Sequence, residues 1–551
     1  MAQLQFKGKT FVQNHHLQVK YHELIPVKSK SLTDKVSLQD NLIIHGDNLK
    51  ALKALLPLYA GKVNVAFIDP PYNTGNEKWV YNDNVTSPMM QEWIGKVVNR
   101  DDLTRHDKWL CMMMPRLKLY RELLSRDGII AVTIDNNEVF GLGMIMDEIF
   151  GEGNCLACAA WQAEPSGGKE KTGLRSGHEY VLIYHNGDRS SVTQEELSTG
   201  DLNLKDSIGI YRKGRELRKW GGTSLRTDRK GQWFPLRAPD GSVVYPIRND
   251  GKEGHWRWGK DNPKMKAILA DPNMCHWETR PYDEGVTYDG KHERWVPYVK
   301  IRDKKKSVGW STWLDTVGYN ADATRELKSI FDEKIFDTPK PVALIEWLLS
   351  LHCEDSAVVL DSFAGSGTTA HAVLSLNADD GGNRRFILVE CEDYADTITA
   401  ERVRRVIKGV PKAKDETLRK GLGGSFSFFE LGKAVELESI LDGKHLPRYE
   451  DLARYVFYTA TGEEFDTKRV DKKKRFIGES RNYQVFLFYE PEIAKLKNLA
   501  FTLGMAKALP ALKKDKRRLV FAPTKYLDQE HLDEYRIDFA QLPFEIYELT
   551  R

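Results

Sequence analysis

The chain has 551 residues, with 82 Lys and Arg against 79 Asp and Glu, a formal net charge of +3 and a pI near 8.3. At ~100–200 residues per domain this length predicts three to five structural units, and 41% hydrophobic with 29% charged residues predicts a sizeable core rather than wholesale disorder. No apolar run approaches the ~18 residues of a membrane span, the opening MAQLQFKGKT holds no apolar signal segment, and six scattered cysteines make no disulfide framework, so the expectation is a cytoplasmic chain with reduced thiols.

Residues 1–40 are polar and mixed, and read as a lead-in segment. From Asn41 the pattern becomes α/β. NLIIHGD (41–47) predicts a strand, NLKALKALLPLYAG (48–61) an amphipathic helix and VNVAFID (63–69) a buried strand that stops at Pro70-Pro71. A helix over 108–128, closed by Gly128, is predicted to precede the strand IIAVTID (129–135), and EYVLIYHN (179–186) is a further strand. This gives a first α/β half over 41–186.

Between 187 and 325 helical periodicity fades, PDG and NDG mark turns, and Trp220, Trp233, Trp256, Trp258, Trp277, Trp295, Trp310 and Trp313 accumulate. This stretch reads as an inserted domain. A second α/β half over 326–412 follows, with a helix over 341–353, the strand AVVLDSF (357–363), helices over 368–377 and 393–409, and the strand RFILVE (385–390) between them. Residues 420–551 read as a small α/β carboxy-terminal domain containing the strand-like YQVFLFYE (483–490). Strands alternating with helices predict a parallel-type sheet covered on both faces.

Two motifs carry chemistry. Asp361-Ser-Phe-Ala-Gly-Ser-Gly-Thr-Thr369 joins a strand to a helix. Gly365 and Gly367 let the backbone approach a ligand, with helix-start amides facing a negative group. No Walker lysine precedes Thr368, which argues against a phosphate cradle. Glu390 ends the next strand, 23 residues after Gly367, close to the ~20 expected of an acid that binds a ribose. S-adenosylmethionine, a nicotinamide dinucleotide and a purely structural loop all remain open on this motif alone.

The second motif is Asp69-Pro70-Pro71-Tyr72. A buried strand delivers a carboxylate to its carboxyl end, two prolines stiffen the chain and free the Pro70 carbonyl, and an aromatic ring follows. A carboxylate and a carbonyl together can accept both N–H hydrogens of an exocyclic amine and favour a pyramidal nitrogen, while the ring stacks on the base. In a duplex that base must first be flipped out. The competing reading is a Pro-Pro turn with Asp capping and Tyr packing.

Together these residues resemble the amino-methyltransferases of DNA, in which Asp-Pro-Pro-Tyr accompanies Phe-x-Gly-x-Gly. The tetrad precedes the Gly loop, the order of the β group. The likeness spans roughly 40–410 and includes His45-Gly46-Asp47 and Phe336-Asp-Thr-Pro-Lys-Pro341. The segments 114–135, 148–154, 178–184 and 229–247 further resemble the modification (Mod) subunits of type III restriction-modification systems. The resemblance implies a Rossmann-like, S-adenosylmethionine-dependent core with circularly permuted motif order. It implies that Asp69, Pro70, Pro71 and Tyr72 are catalytic, and that Asp47, Lys340, Asp361, Phe363, Ala364, Gly365, Gly367, Thr368 and Glu390 surround the cofactor. Asp at the first tetrad position favours adenine N6. No metal is implied, and Cys155 and Cys158 read as ordinary core cysteines.

A nucleic-acid binder of near-neutral charge must carry its positive charge locally. The insert does so: Arg212, Lys213, Arg215, Arg218, Lys219, Arg226, Arg229 and Lys230 fall within nineteen residues. Arg212, Arg215, Arg218, Arg226, Arg229 and Lys230 are the candidate contacts to double-stranded DNA, against the alternative of a solvated charged face. The basic runs 468–475 and 513–518 read as solvated loops. The carboxy-terminal domain is expected to serve homodimerisation or docking of a helicase-nuclease (Res-like) partner, since the chain has no Walker motif. A solitary adenine methyltransferase, a DNA-specificity subunit directing a nuclease, and an RNA methyltransferase are the alternatives.

Overall fold

The computed structural model describes residues 4–74, 105–167, 173–352, 354–435 and 446–542. Ten strands build its main sheet, in the spatial order 22–26, 427–434, 42–45, 385–390, 358–361, 63–68, 124–134, 179–185, 155–161 and 313–314. The six from 427–434 to 124–134 run parallel to one another. The strands 22–26, 179–185 and 155–161 each run antiparallel to the neighbour that ties them in. Runs such as Leu42-Ile43-Ile44, Val359-Leu360 and Phe386-Ile387-Leu388-Val389 are buried, as expected of parallel strands covered on both faces. Helices 48–59, 105–123 and 368–380 follow or precede these strands. Among the described residues no helix is long and apolar enough to cross a membrane.

Several elements differ from the sequence reading. The helix predicted to reach Gly128 stops at Leu123, because Leu124 already pairs with Val63 and the strand runs from Leu124 to Ile134. The helix predicted over 393–409 is three pieces: a 3-10 turn Asp393–Ala395, a π-turn Asp396–Ala400 and an α-helix Glu401–Lys408. The helix expected to reach Cys353 covers Val342–Ser350, and Cys353 lies outside the described residues. Cys155 is half-buried and Cys158 is exposed, so this pair is not in the core. The lead-in is structured: His22–Pro26 is the edge strand of the main sheet, paired with Ser427–Ala434. That pairing also draws the start of the expected carboxy-terminal domain into the central sheet.

The chain resolves into two compact units, Gln194–Trp310 and the remainder. The first is narrower than the predicted 187–325. Residues 187–193 stay with the larger unit, where the Thr193 amide donates to the Leu351 carbonyl. Trp313–Leu314 is a strand of the main sheet, and Asn320–Phe331 a helix of the same unit. The unit 194–310 has its own core around the fully buried Trp256, with Leu217, Phe234 and Met265, under a four-stranded antiparallel sheet. In the larger unit, residues 476–541 contribute a second sheet whose strands 483–487, 517–522 and 537–541 run parallel.

Candidate active site

Strands 63–68 and 358–361 are parallel neighbours at the centre of the sheet, with Val65 opposite Val359 and Ala66 opposite Leu360. From this pair the connections diverge, to 124–134 on one side and to 385–390 on the other. Such a switch point opens a crevice at the carboxyl ends of the strands. Here it is a cavity of about 750 Å³, lined by the tetrad Asp69–Tyr72, by Thr338–Lys340, and by Asp361, Phe363, Ala364, Gly365, Thr368 and Glu390. Two motifs almost 300 positions apart in sequence thus face one space.

The tetrad is held from several sides. Thr133 Oγ1 donates to Asp69 Oδ1 at 2.6 Å, and Lys340 Nζ lies 2.8 Å from Asp69 Oδ2. Trp109 Nε1 donates to the Pro71 carbonyl at 2.6 Å. The Pro70 carbonyl receives no hydrogen bond among the described residues. Tyr72 Oη donates to Glu179 Oε2 at 2.8 Å, which tethers the ring, and Lys340 Nζ sits 4.9 Å from the ring centroid. Lys340 lies 3.8 Å from Glu179 and is 8% exposed. Burial works against its charge, but Asp69 and then Glu179 outweigh that and raise its pKa. Lys340, expected beside the cofactor, is therefore bound to the tetrad carboxylate.

The Gly loop is equally constrained. Gly365 and Gly367 have φ of 50° and 79°, the left-handed region in which glycine is unstrained. The Asp361 carboxylate accepts from the Phe363 amide at 2.9 Å and from Thr369 Oγ1 at 2.6 Å. Burial nevertheless pushes its pKa up to about 7. Behind the loop, Tyr120 Oη donates to Ser362 Oγ at 2.7 Å, and Asn48 Nδ2 donates to the Ser362 carbonyl at 2.9 Å.

Glu390 lines the cavity and also braces the loop. Its Oε2 accepts the Gly365 amide at 2.7 Å, and its Oε1 accepts the amides of Cys391 and Glu392. The Gly365 amide thus faces the chain's own carboxylate, while the amides expected to meet a ligand anion are those of the helix start at Thr368. Asp47 is placed elsewhere: its carboxylate caps the helix 48–59 through the Lys50 amide at 3.0 Å, and it does not line the cavity. Gly367 lies behind the lining, its α-carbon turned to Thr399. Glu179, Thr133 and Tyr394 were missed by the sequence reading. Glu179 stands in the segment 178–184 already singled out, but a lone acid at a strand start gives no signal of its own.

In the unit 194–310 the basic stretch divides. Arg212, Arg215 and Arg229 line a cleft of about 1660 Å³ together with Lys219 and Lys306. None of these five side chains has an acidic partner among the described residues. Arg218 is buried against Glu216 at 2.7 Å. Arg226 is paired with Glu253 at 2.8 Å and lies over the Trp233 ring. Lys230 is exposed and opens a 3-10 turn outside the cleft.

Comparison with known proteins gives concordant findings. The family model described as DNA methylase, for N6 and N4 methyltransferases, matches residues 63–401. The chain is 31% identical over 476 residues to the type III restriction-modification enzyme EcoPI Mod subunit of Escherichia phage P1, covering 76% of this chain and 71% of that one. It is 34% identical over 373 residues to the type II methyltransferase M.KpnI of Klebsiella pneumoniae, covering 66% and 82%. To the EcoP15I Mod subunit of Escherichia coli it is 31% identical over 410 residues, covering 67% and 62%.

Proposed function

The chain belongs to the DNA methylase family, and on that premise we propose that it transfers the methyl group of S-adenosylmethionine to N6 of an adenine flipped out of double-stranded DNA. The observation that carries this reading is the convergence of Asp69 and the Gly loop on one cavity at the sheet's switch point. The cavity's chemistry suits the cofactor. Among the described residues six carboxyl groups line it (Asp69, Glu179, Asp337, Asp361, Glu390 and Glu392) against the single ammonium of Lys340. Such a lining favours a ligand carrying a sulfonium and an ammonium, and repels the pyrophosphate of a dinucleotide. With the Gly365 amide taken by Glu390, the loop also offers no anion cradle there. Phe363, Ala364, Gly365, Thr368 and Glu390 would hold the cofactor, which when bound supplies an electrophilic methyl group.

The rest of the chemistry belongs to the chain. Asp69 and the Pro70 carbonyl accept the two N–H hydrogens of the amine, which turns its lone pair out of conjugation. Lys340 and Thr133 occupy one position on each Asp69 oxygen and fix the carboxylate, leaving the remaining lone pairs for the amine. As the methyl–sulfur bond breaks and the N6–carbon bond forms, the amine becomes cationic, and the proton it then loses leaves along its hydrogen bond to Asp69 for water. Tyr72 presents its ring to the base, with its hydroxyl anchored on Glu179.

Arg212, Arg215, Lys219, Arg229 and Lys306 form the phosphate-binding wall of the target-recognition unit. The likeness to Mod subunits supports a modification role in a type III-like system; homodimerisation and a Res-like helicase-nuclease partner belong to the same proposal. Labelled S-adenosylmethionine with unmethylated genomic DNA tests the reaction. Asp69→Ala should lower transfer by about 10²–10³ while leaving cofactor binding in place, and single-molecule sequencing of modified DNA should report N6-methyladenine at one recognition sequence. No transfer to any DNA refutes the reading.

A further inference from the structure

The π-turn Asp396–Ala400 and the helix that continues from it lie directly behind the Gly loop. π-turns within helices occur frequently at functional sites, and this one meets both glycines. Thr399 is fully buried, and its Oγ1 donates to the Gly365 carbonyl at 2.6 Å. Its own carbonyl backs Gly367 so closely that a β-carbon there would come within 3.0 Å of it. Gly365 is therefore clamped at both ends, its amide by Glu390 and its carbonyl by Thr399.

Three residues on, Arg402 is 0% exposed and points the same way. Its Nη1 donates to Ser366 Oγ at 3.1 Å and to Thr368 Oγ1 at 2.8 Å, so one guanidinium nitrogen fixes the hydroxyls on either side of Gly367. Its Nη2 lies 3.2 Å from His371 Nδ1 and 3.8 Å from the Glu326 carboxylate, the one acid paired with it among the described residues. Beside that cation His371 is held neutral, by burial first and then by Arg402, so its Nδ1 accepts. A fully buried guanidinium with so distant a counter-charge is a costly way to fill space. What it gains is a rigid fork under the loop.

We propose that Thr399 and Arg402 are positioning residues of the cofactor loop: without touching the ligand, they set affinity for S-adenosylmethionine by fixing Gly365, Ser366 and Thr368 from behind. The inference rests on the reading of the cavity as the S-adenosylmethionine site. It is tested on the full chain by calorimetric titration of S-adenosylmethionine, beside thermal unfolding and binding of duplex DNA. Thr399→Val keeps shape and burial but loses the donor, so its Kd for S-adenosylmethionine should rise about tenfold. Arg402→Met should raise that Kd further, and Arg402→Lys, which retains the charge but not the fork, should fall between Arg402→Met and the unaltered protein. DNA binding should stay within about twofold in all three. Folded Thr399→Val and Arg402→Lys proteins with unchanged Kd overturn the inference and leave the cofactor reading standing. An unaltered protein that binds no S-adenosylmethionine overturns both. If Arg402→Met does not fold, Thr399→Val and Arg402→Lys still decide the matter.

Discussion

Replacing Lys340 by methionine removes a cation from between two carboxylates while keeping an unbranched side chain of similar length. In the intact protein the ammonium lies 2.8 Å from Asp69 and 3.8 Å from Glu179. Deleting one partner of a fully buried pair costs ~3–5 kcal/mol. The Asp69 and Glu179 side chains keep 23% and 17% exposure, which allows water to compensate in part, so about 2–3 kcal/mol is the appropriate range here. If that loss falls on the geometry of Asp69 against the amine, kcat drops about 30- to 150-fold. The Kd for S-adenosylmethionine stays within about twofold, because the lysine is held by the tetrad and not by the Gly loop. Steady-state kinetics at saturating cofactor, with a parallel calorimetric titration, separate these quantities, and Lys340→Arg should recover part of the loss. A tenfold weaker cofactor with unchanged kcat would refute this account and return Lys340 to the cofactor, while no change in either would show that the ion pair is idle.

Other expectations follow from the same geometry. Arg215→Ala should reduce the slope of log K for duplex DNA against log salt by about 0.9, one phosphate contact. Arg226→Ala should leave that slope unchanged, because its guanidinium is already bound to Glu253; the reverse pattern would refute the assignment of the cleft. Gly367→Ala should cost about 1–3 kcal/mol in denaturant unfolding, from a φ of 79° and a β-carbon 3.0 Å from the Thr399 carbonyl. His16 is held neutral by burial and by Lys118, with its pKa lowered to about 4. The unfolded chain therefore binds the proton more readily, and stability falls by about 2–3 kcal/mol as pH drops from 6.5 to 4. His16→Gln should flatten that part of the stability profile, and an unaltered profile would refute it.

The central strands were legible in sequence because each is a short apolar run ending at a marked turn, as RFILVE and VNVAFID show. The tetrad and the Gly loop were legible because their residue types are the chemistry. What sequence could not supply was the choice of partner. Lys340 was read with the cofactor because its neighbours in sequence suggested it, whereas its contact with Asp69 depends on how strands 63–68 and 358–361 meet. Arg218 and Arg226 look like their neighbours in a basic run, and only the folded insert shows them matched to Glu216 and Glu253. The π-turn at Asp396–Ala400 is hidden because one extra residue in a turn barely disturbs helical periodicity. His22–Pro26 was overlooked because five residues at a sheet edge show no decisive alternation.

That edge strand has a bearing on how the protein is made. His22 pairs with Ala434 and Pro26 with Phe429, and the strand 427–434 must itself lie against 42–45 before the edge can close. A ribosome adding ~5–20 residues per second delivers Ser427 some twenty seconds or more after His22. For most of that interval strand 42–45 lacks both of its neighbours, 385–390 and 427–434, and the amino-terminal strand lacks its mate, the condition under which nascent sheets invite mispairing. The sheet is finished last at the edge where its chain began.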